Sequence, residues 1–251
     1  MAVLGMQKGL TVMPRFFVPP FQGNTAVIRG QDAHHIARVL RMQVGDTLTL
    51  CDAHGTDYAC EITELADGEI SLHVCDRAPS STEPTTAVTL YQGLPKSEKM
   101  EWIIQKCVEI GVTRIVPVAM SRCVVKLSGA DSEKKRSRWQ KIATGAAEQS
   151  GRGIIPEIAA PLSFDAMLAA LKEEYVITFY EGGGVALSTL VGKNTRRVSI
   201  VIGPEGGFSF EEIEKLRQNG AHIATLGKRI LRCETAPLVA LAVIMQLTGN
   251  L

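Results

Sequence analysis

From Ala87 to Leu251, short β-branched runs alternate with amphipathic helical patterns, an order that restricts this part of the chain to a mostly parallel sheet covered by helices on both faces. The strand candidates are Ala87–Gln92, Arg114–Val118, Tyr175–Tyr180, Val198–Ile202 and His222–Leu226. Between and after them the spacing predicts helices over Lys96–Ile110, Glu133–Gln149, Phe164–Glu173, Phe210–Asn219 and Thr235–Leu247. In the first of these helices Met100, Ile103, Ile104, Cys107 and Val108 share one face, and Gly111 supplies a stop.

The residues before Ala78 follow a different period. Thr47–Cys51, Tyr58–Thr63 and Glu69–Val74 alternate, with Ile70, Leu72 and Val74 on one face, so a small β domain is expected. Asp52–Gly55 suits a hairpin turn, and one helix is expected with Asp32 as N-cap and Ile36, Val39 and Leu40 on its buried face. The stretch APSSTEPTT, residues 78–86, has no apolar periodicity and reads as the linker. The predicted division is an extension at 1–13, a β domain at 14–77, the linker, and an α/β domain at 87–251.

Charge is uneven along the chain. The formal total is +1, but Met1–Asp76 holds five basic and nine acidic residues, whereas Lys96–Arg152 holds twelve basic and six acidic. A polyanion would therefore be met by the middle of the chain. Six cysteines form no C-x-x-C pair and no zinc-type spacing with histidine, so reduced thiols and no metal are expected. The N-terminus lacks a signal-peptide pattern, and the apolar run Leu238–Met245 is far short of a membrane span. A cytoplasmic protein without a membrane partner is expected.

Two loops at predicted strand ends carry the chemistry. VSIVI leads into Gly203-Pro204-Glu205-Gly206-Gly207 and a helix marked by a Ser209/Glu212 capping box. Glycine admits close backbone approach to a ligand, although a tight strand-to-helix turn would also require it. The loop matches neither a P-loop nor a dinucleotide fingerprint, which counts against a Rossmann-type enzyme. The second loop, Leu226–Pro237, places Lys228, Arg229 and Arg232 among apolar residues, and Gly182-Gly183-Gly184 offers a third wall to one shared pocket. The helix rich in Lys134, Lys135, Arg136, Arg138 and Lys141 ends in EQSGR, which fits a solvated face or a nucleic-acid contact. A non-catalytic RNA-binding module would explain that helix but would leave the glycine loops without a role.

In order along the chain, RFFV, HHIARVLRMQVGD, KSEKMEWIIQKCVEIGVTRIVPV, EQSGR, IGPEGGF and LGKRILRCETAPLVAL resemble the RsmE family, ribosomal RNA uridine-N3 methyltransferases of the SPOUT superfamily. The resemblance runs from Pro14 to the C-terminus. It implies an N-terminal PUA-like β-barrel, a C-terminal α/β domain with a trefoil knot, a homodimer, and S-adenosylmethionine as cofactor. The implied product is 3-methyluridine in 16S ribosomal RNA of the small subunit.

Carried onto this sequence, the resemblance implies a cofactor site of Phe179, Tyr180, Glu181 and Gly182; Ile202, Gly203, Pro204, Glu205, Gly206 and Gly207; and Leu226, Gly227, Arg229, Ile230, Leu231 and Arg232. Arg232 or Arg229 would stabilise the developing uridine anion, while Glu205 would either accept the N3 proton or orient the loop. The implied RNA surface joins Arg15, His35, Arg38 and Arg41 to Lys99, Arg122, Arg136, Arg138, Lys141, Gln149 and Arg152. The acidic excess of the β domain shifts the expected phosphate contacts toward the mid-chain residues.

Overall fold

A computed structural model describes residues 13–125 and 129–251, so the expected N-terminal extension lies almost wholly outside the described residues. The chain divides into two units, the first ending at Thr82 and the second spanning Glu83–Leu251.

The first unit is a five-stranded sheet in the order β1-β3-β4-β5-β2. Its strands are β1 (Arg15–Phe17), β2 (Thr25–Arg29), β3 (Thr47–Cys51), β4 (Thr56–Ala66) and β5 (Glu69–Pro79). β1 pairs in parallel with β3, and the other pairings are antiparallel. The predicted Ile70, Leu72 and Val74 face is buried with Leu48, Leu50 and Ile62. At the β3–β4 turn, Asp52 Oδ1 accepts from the His54 and Thr56 amides at 2.8 and 3.1 Å, a side chain closing its own turn. β5 runs on through Ala78 and Pro79, so the sheet takes the first residues of the expected linker.

The expected helix is α1 (Gln31–His34), which widens into a π-helical turn at His35–Val39. Its N-cap is Gly30, not Asp32, and no side chain caps it. Of the predicted buried face only Ile36 is buried, whereas Val39 and Leu40 are exposed. The Leu40 amide donates to the His35 carbonyl five residues back, and this wider turn carries positions three and four along away from the core.

The second unit is an eight-stranded sheet in which all the described pairings are parallel. In chain order it contains β6 (Ala87–Gly93), α2 (Lys99–Ile110), β7 (Arg114–Ala119), α3 (Gly129–Gln149), β8 (Glu157–Ile158), β9 (Leu162–Ser163), α4 (Phe164–Ala170) and β10 (Val176–Phe179). β11 (Val185–Ala186), β12 (Arg197–Ile202), α5 (Phe210–Gln218), β13 (His222–Thr225) and α6 (Ala236–Thr248) follow. The path is β11-β13-β10-β12-β6-β7-β8, with β9 also on β7. Val198 through Ile202 are all buried, which explains why β12 reads as an apolar run broken only by Ser199.

α2 buries the five predicted residues and stops at Gly111, whose φ of 110° is the left-handed conformation suited to glycine. It begins at Lys99 instead of Lys96, because Ser97 sits at φ 55°, which a right-handed helix does not admit. The six cysteines are free thiols. Among the described residues no group of His, Cys, Asp or Glu is placed to hold a metal ion, and no helix is long and apolar enough to cross a membrane.

Candidate active site

β12 pairs with β10, and β10 with β13, all in parallel, so their C-terminal ends open on one edge of the sheet. The chain leaves β10 through Tyr180 and Glu181, β12 through Gly203–Gly207, and β13 through Leu226–Glu234. These three segments wall one cavity of about 370 Å³, within the ~300–1,000 Å³ usual for small-molecule sites.

The Gly203–Gly207 loop is fixed from below and from the side. A Cβ on Gly93, at the end of β6, would fall 2.6 Å from the Pro204 nitrogen, so β6 and the loop meet backbone to backbone. The Gly207 amide donates to Pro204 at 2.9 Å, and Gly207 has φ 65°. Arg122 donates to the Gly206 carbonyl at 2.9 Å. Beyond the loop, Glu212 completes the capping box with Ser209 and also accepts from the Ser121 amide at 2.8 Å, tying the segment after β7 to the start of α5.

Lys99 joins two of the walls. Its ammonium lies 3.2 Å from Glu205 and 3.1 Å from Glu234, and Glu205 also accepts from the Lys96 amide at 3.0 Å. The Glu234 carboxylate, supported by Glu205, holds the Lys99 ammonium above its ordinary range despite burial. Burial alone would raise Glu205, but its own amide, the Lys96 amide and Lys99 outweigh that and lower it. Glu234 is likewise lowered: its burial is outweighed by donors that include the Cys233 thiol, its own amide and Lys99. Burial, followed by the Glu234 contact, pushes the Cys233 thiol up to about 12, which keeps it protonated and a poor nucleophile at neutral pH.

The sequence-predicted cofactor residues converge with one exception. Phe179, Tyr180, Glu181, Ile202, Gly203, Pro204, Glu205, Gly206, Gly207, Leu226, Gly227, Arg229, Ile230, Leu231 and Arg232 line the cavity, together with Lys228 and Lys99. Gly182 does not; it is tucked under the Tyr180 ring, which a Cβ there would strike at 2.2 Å. Among the described residues Lys228, Arg229, Arg232 and Glu181 form no ion pair or hydrogen bond through their side chains, so three cations and one carboxylate stand ready for a ligand. With the apolar surfaces of Phe179, Ile202 and Leu231, this set fits a charged amino-acid group joined to a flat, less polar base, as S-adenosylmethionine is.

The predicted RNA surface is redistributed. Arg152 is buried, donating to the Val108 and Val112 carbonyls and pairing with Glu83 at 2.6 Å, so it serves the core of its unit. Lys99 faces the cavity and its carboxylates, and Arg122 braces Gly206. Arg15 is largely covered and paired with Asp57. His35, Arg38 and Arg41 are exposed in the first unit. On α3, Arg138, Lys141 and Gln149 are exposed and Arg136 half-buried, with Arg138 bridging to Glu101 at 2.8 Å and Arg136 to Glu133 at 3.0 Å.

Comparison with known proteins gives consistent matches over both units. A family model described as an RNA methyltransferase domain matches residues 81–245, and one described as an RNA methyltransferase PUA domain matches residues 28–75. Ribosomal RNA small subunit methyltransferase E of Bacillus subtilis is 38% identical over 88% of this chain and 89% of its own length. The protein of that name from Buchnera aphidicola of Schizaphis graminum is 33% identical over 95% and 98%. A crystal structure of a ribosomal RNA small subunit methyltransferase E from Neisseria gonorrhoeae, bound to S-adenosyl methionine, superposes with a TM-score of 0.83 at 30% identity, covering 94% of this chain and 98% of that one.

Proposed function

Because this chain belongs to the ribosomal RNA small subunit methyltransferase E family, we propose that its strand-end cavity binds S-adenosylmethionine and that the protein methylates N3 of a uridine in 16S ribosomal RNA. The protein is an S-adenosylmethionine-dependent methyltransferase of small-subunit ribosomal RNA. The observation that carries this reading is the convergence of three loops on one cavity in which Lys228, Arg229, Arg232 and Glu181 keep their charges uncommitted among the described residues.

When bound, S-adenosylmethionine supplies an electrophilic methyl group on a positively charged sulfur. The chain supplies position and charge. Gly203–Gly207 and Leu226–Arg232 hold the ligand, while Arg229 and Arg232 lower the energy of the uracil anion that forms as the N3 proton leaves for solvent. Glu205 is a weak acceptor for that proton, since the Lys96 amide and Lys99 stabilise its ionised form; it orients the loop. The target uridine must leave its stack to reach the cavity.

Residues 14–77 form the PUA-like RNA-binding domain in this reading, with 78–86 as linker and 87–251 as the SPOUT domain; the break between the units, after Thr82, falls inside that linker. In the first unit His35, Arg38 and Arg41, and in the second the α3 residues Lys134, Arg138 and Lys141, each supply phosphate contacts. A trefoil knot through the three loops, a homodimer and a cytoplasmic location complete the assignment. Supporting the dimer, half-exposed Trp102 on α2 and Val243 on α6 lie on two helices that pack together.

Isothermal titration with S-adenosylmethionine tests the reading, comparing the natural sequence with Gly206→Trp, whose side chain would enter space already taken by Arg122. Binding by the natural sequence alone, followed by methyl transfer to ribosomal RNA, is the expected result. No binding with RNA present would refute it.

A further inference from the structure

The reaction removes a charge from its own ligand. Transfer of the methyl group breaks a sulfur–carbon bond and forms a nitrogen–carbon bond, N3 loses its proton, and the sulfonium becomes a neutral thioether. A cavity that grips both forms equally would be held by its product, so a group that senses the sulfonium charge has a use beyond adhesion.

Among the described residues three carboxylates line the cavity: Glu181, Glu205 and Glu234. Lys99 partners the last two, and the Lys96 amide adds to Glu205. Glu181 has no ion pair or hydrogen bond through its side chain among the described residues. It follows the end of β10, the strand flanked on both sides by the other cavity-forming strands, and the neighbouring Tyr180 amide is fixed to the Ala224 carbonyl at 3.1 Å. Its carboxylate rests against Gly207, where a Cβ would fall 2.4 Å from Oε1. The other unpaired charges of the cavity among the described residues, Lys228, Arg229 and Arg232, are all positive and by themselves disfavour a cation.

Resting on the reading above, we infer that Glu181 gives the cavity its preference for the sulfonium form of the ligand over the neutral thioether left after transfer. Glu181 is then a specificity-determining residue that favours loading of the methyl donor and release of the product.

The test is titration of the full chain with S-adenosylmethionine and with S-adenosylhomocysteine, for the natural sequence and for Glu181→Gln. The variant is expected to lose on the order of tenfold in affinity for the methyl donor and less than about twofold for the product, whose retained binding shows that the variant is folded. Equal weakening of both ligands, as loss of a hydrogen bond to their shared part would give, overturns the inference, as does no change in either. Should Glu181→Gln not fold, a salt titration of the natural sequence decides: its preference for the donor falls with added salt if charge carries it, and a constant preference overturns the inference. A natural sequence that binds neither ligand refutes the methyltransferase reading and this inference together, whereas one that binds both but loses no discrimination in Glu181→Gln refutes this inference alone.

Discussion

The Lys99 ammonium lies 3.2 Å from the Glu205 carboxylate, so a helix outside the glycine loop sets where that loop sits. The same ammonium reaches Glu234 at 3.1 Å in the segment after β13. Lys99→Met should release both walls and leave two like charges facing each other, with cofactor affinity falling by about tenfold or more. Lys99→Arg should restore part of it. RNA affinity and its salt slope should be unchanged, which separates this role from a phosphate contact; a reduced slope measured by filter binding would refute it.

Acid should undo the same junction. Glu205 and Glu234 are depressed below their ordinary value of 4.5, so the stability they confer is full above that pH and is lost as pH falls through the depressed values. Lys99 is raised above 10.5, so its contribution is full below that pH and is lost as pH rises through the raised value. Thermal melts of the natural sequence and Lys99→Met should therefore converge at both extremes and differ most between them. A constant difference down to strongly acidic pH would count against the junction.

Gly93→Ala tests the floor of the loop. The added methyl group would meet the Pro204 nitrogen at 2.6 Å, and neither backbone can swing aside as a flexible side chain would. Titration should show at least about a tenfold loss of cofactor affinity, the cost of displacing a preorganised loop. Unchanged affinity would mean that the loop shifts freely.

Arg152→Ala should act on stability. It would leave Glu83 without its guanidinium partner in a mostly buried pair and should cost about 3–5 kcal/mol in denaturant unfolding. At a temperature where the variant remains folded, the salt slope of RNA binding should match that of the natural sequence. A slope reduced by about one would restore Arg152 to the RNA surface.

The exposed face of α3 should carry phosphates. Replacing Lys134, Arg138 and Lys141 together by Ala should lower the salt slope by up to about three and leave cofactor affinity intact. Loss of cofactor binding with no change in slope would remove this helix from the RNA surface.

Most of the second unit was legible in its sequence because buried parallel strands and amphipathic helices leave distinct periods. The Met100, Ile103, Ile104, Cys107 and Val108 face and the Ser209/Glu212 cap both follow from spacing alone. The π-helical turn after α1 was not legible, since changing the hydrogen-bond step changes which residues share a face without changing composition. Cavity residues contributed by loops next to strong strands were found together. Lys99 and Arg152 were misplaced because a cation's partner is set by tertiary structure: Glu205 and Glu234 lie far along the chain from Lys99, as Glu83 does from Arg152. No local signal marks either pair, since both form only when distant segments meet.

The order of the central sheet also governs when the protein can assemble. β10 finds both its neighbours, β12 and β13, only in later sequence, and Leu90 of β6 pairs with Ile200. During synthesis, one edge of β6 and both edges of β10 must wait for distant sequence to emerge. The cavity cannot close until Arg232 has left the ribosome, so a nascent chain stalled in α5 carries the glycine loop and no binding site.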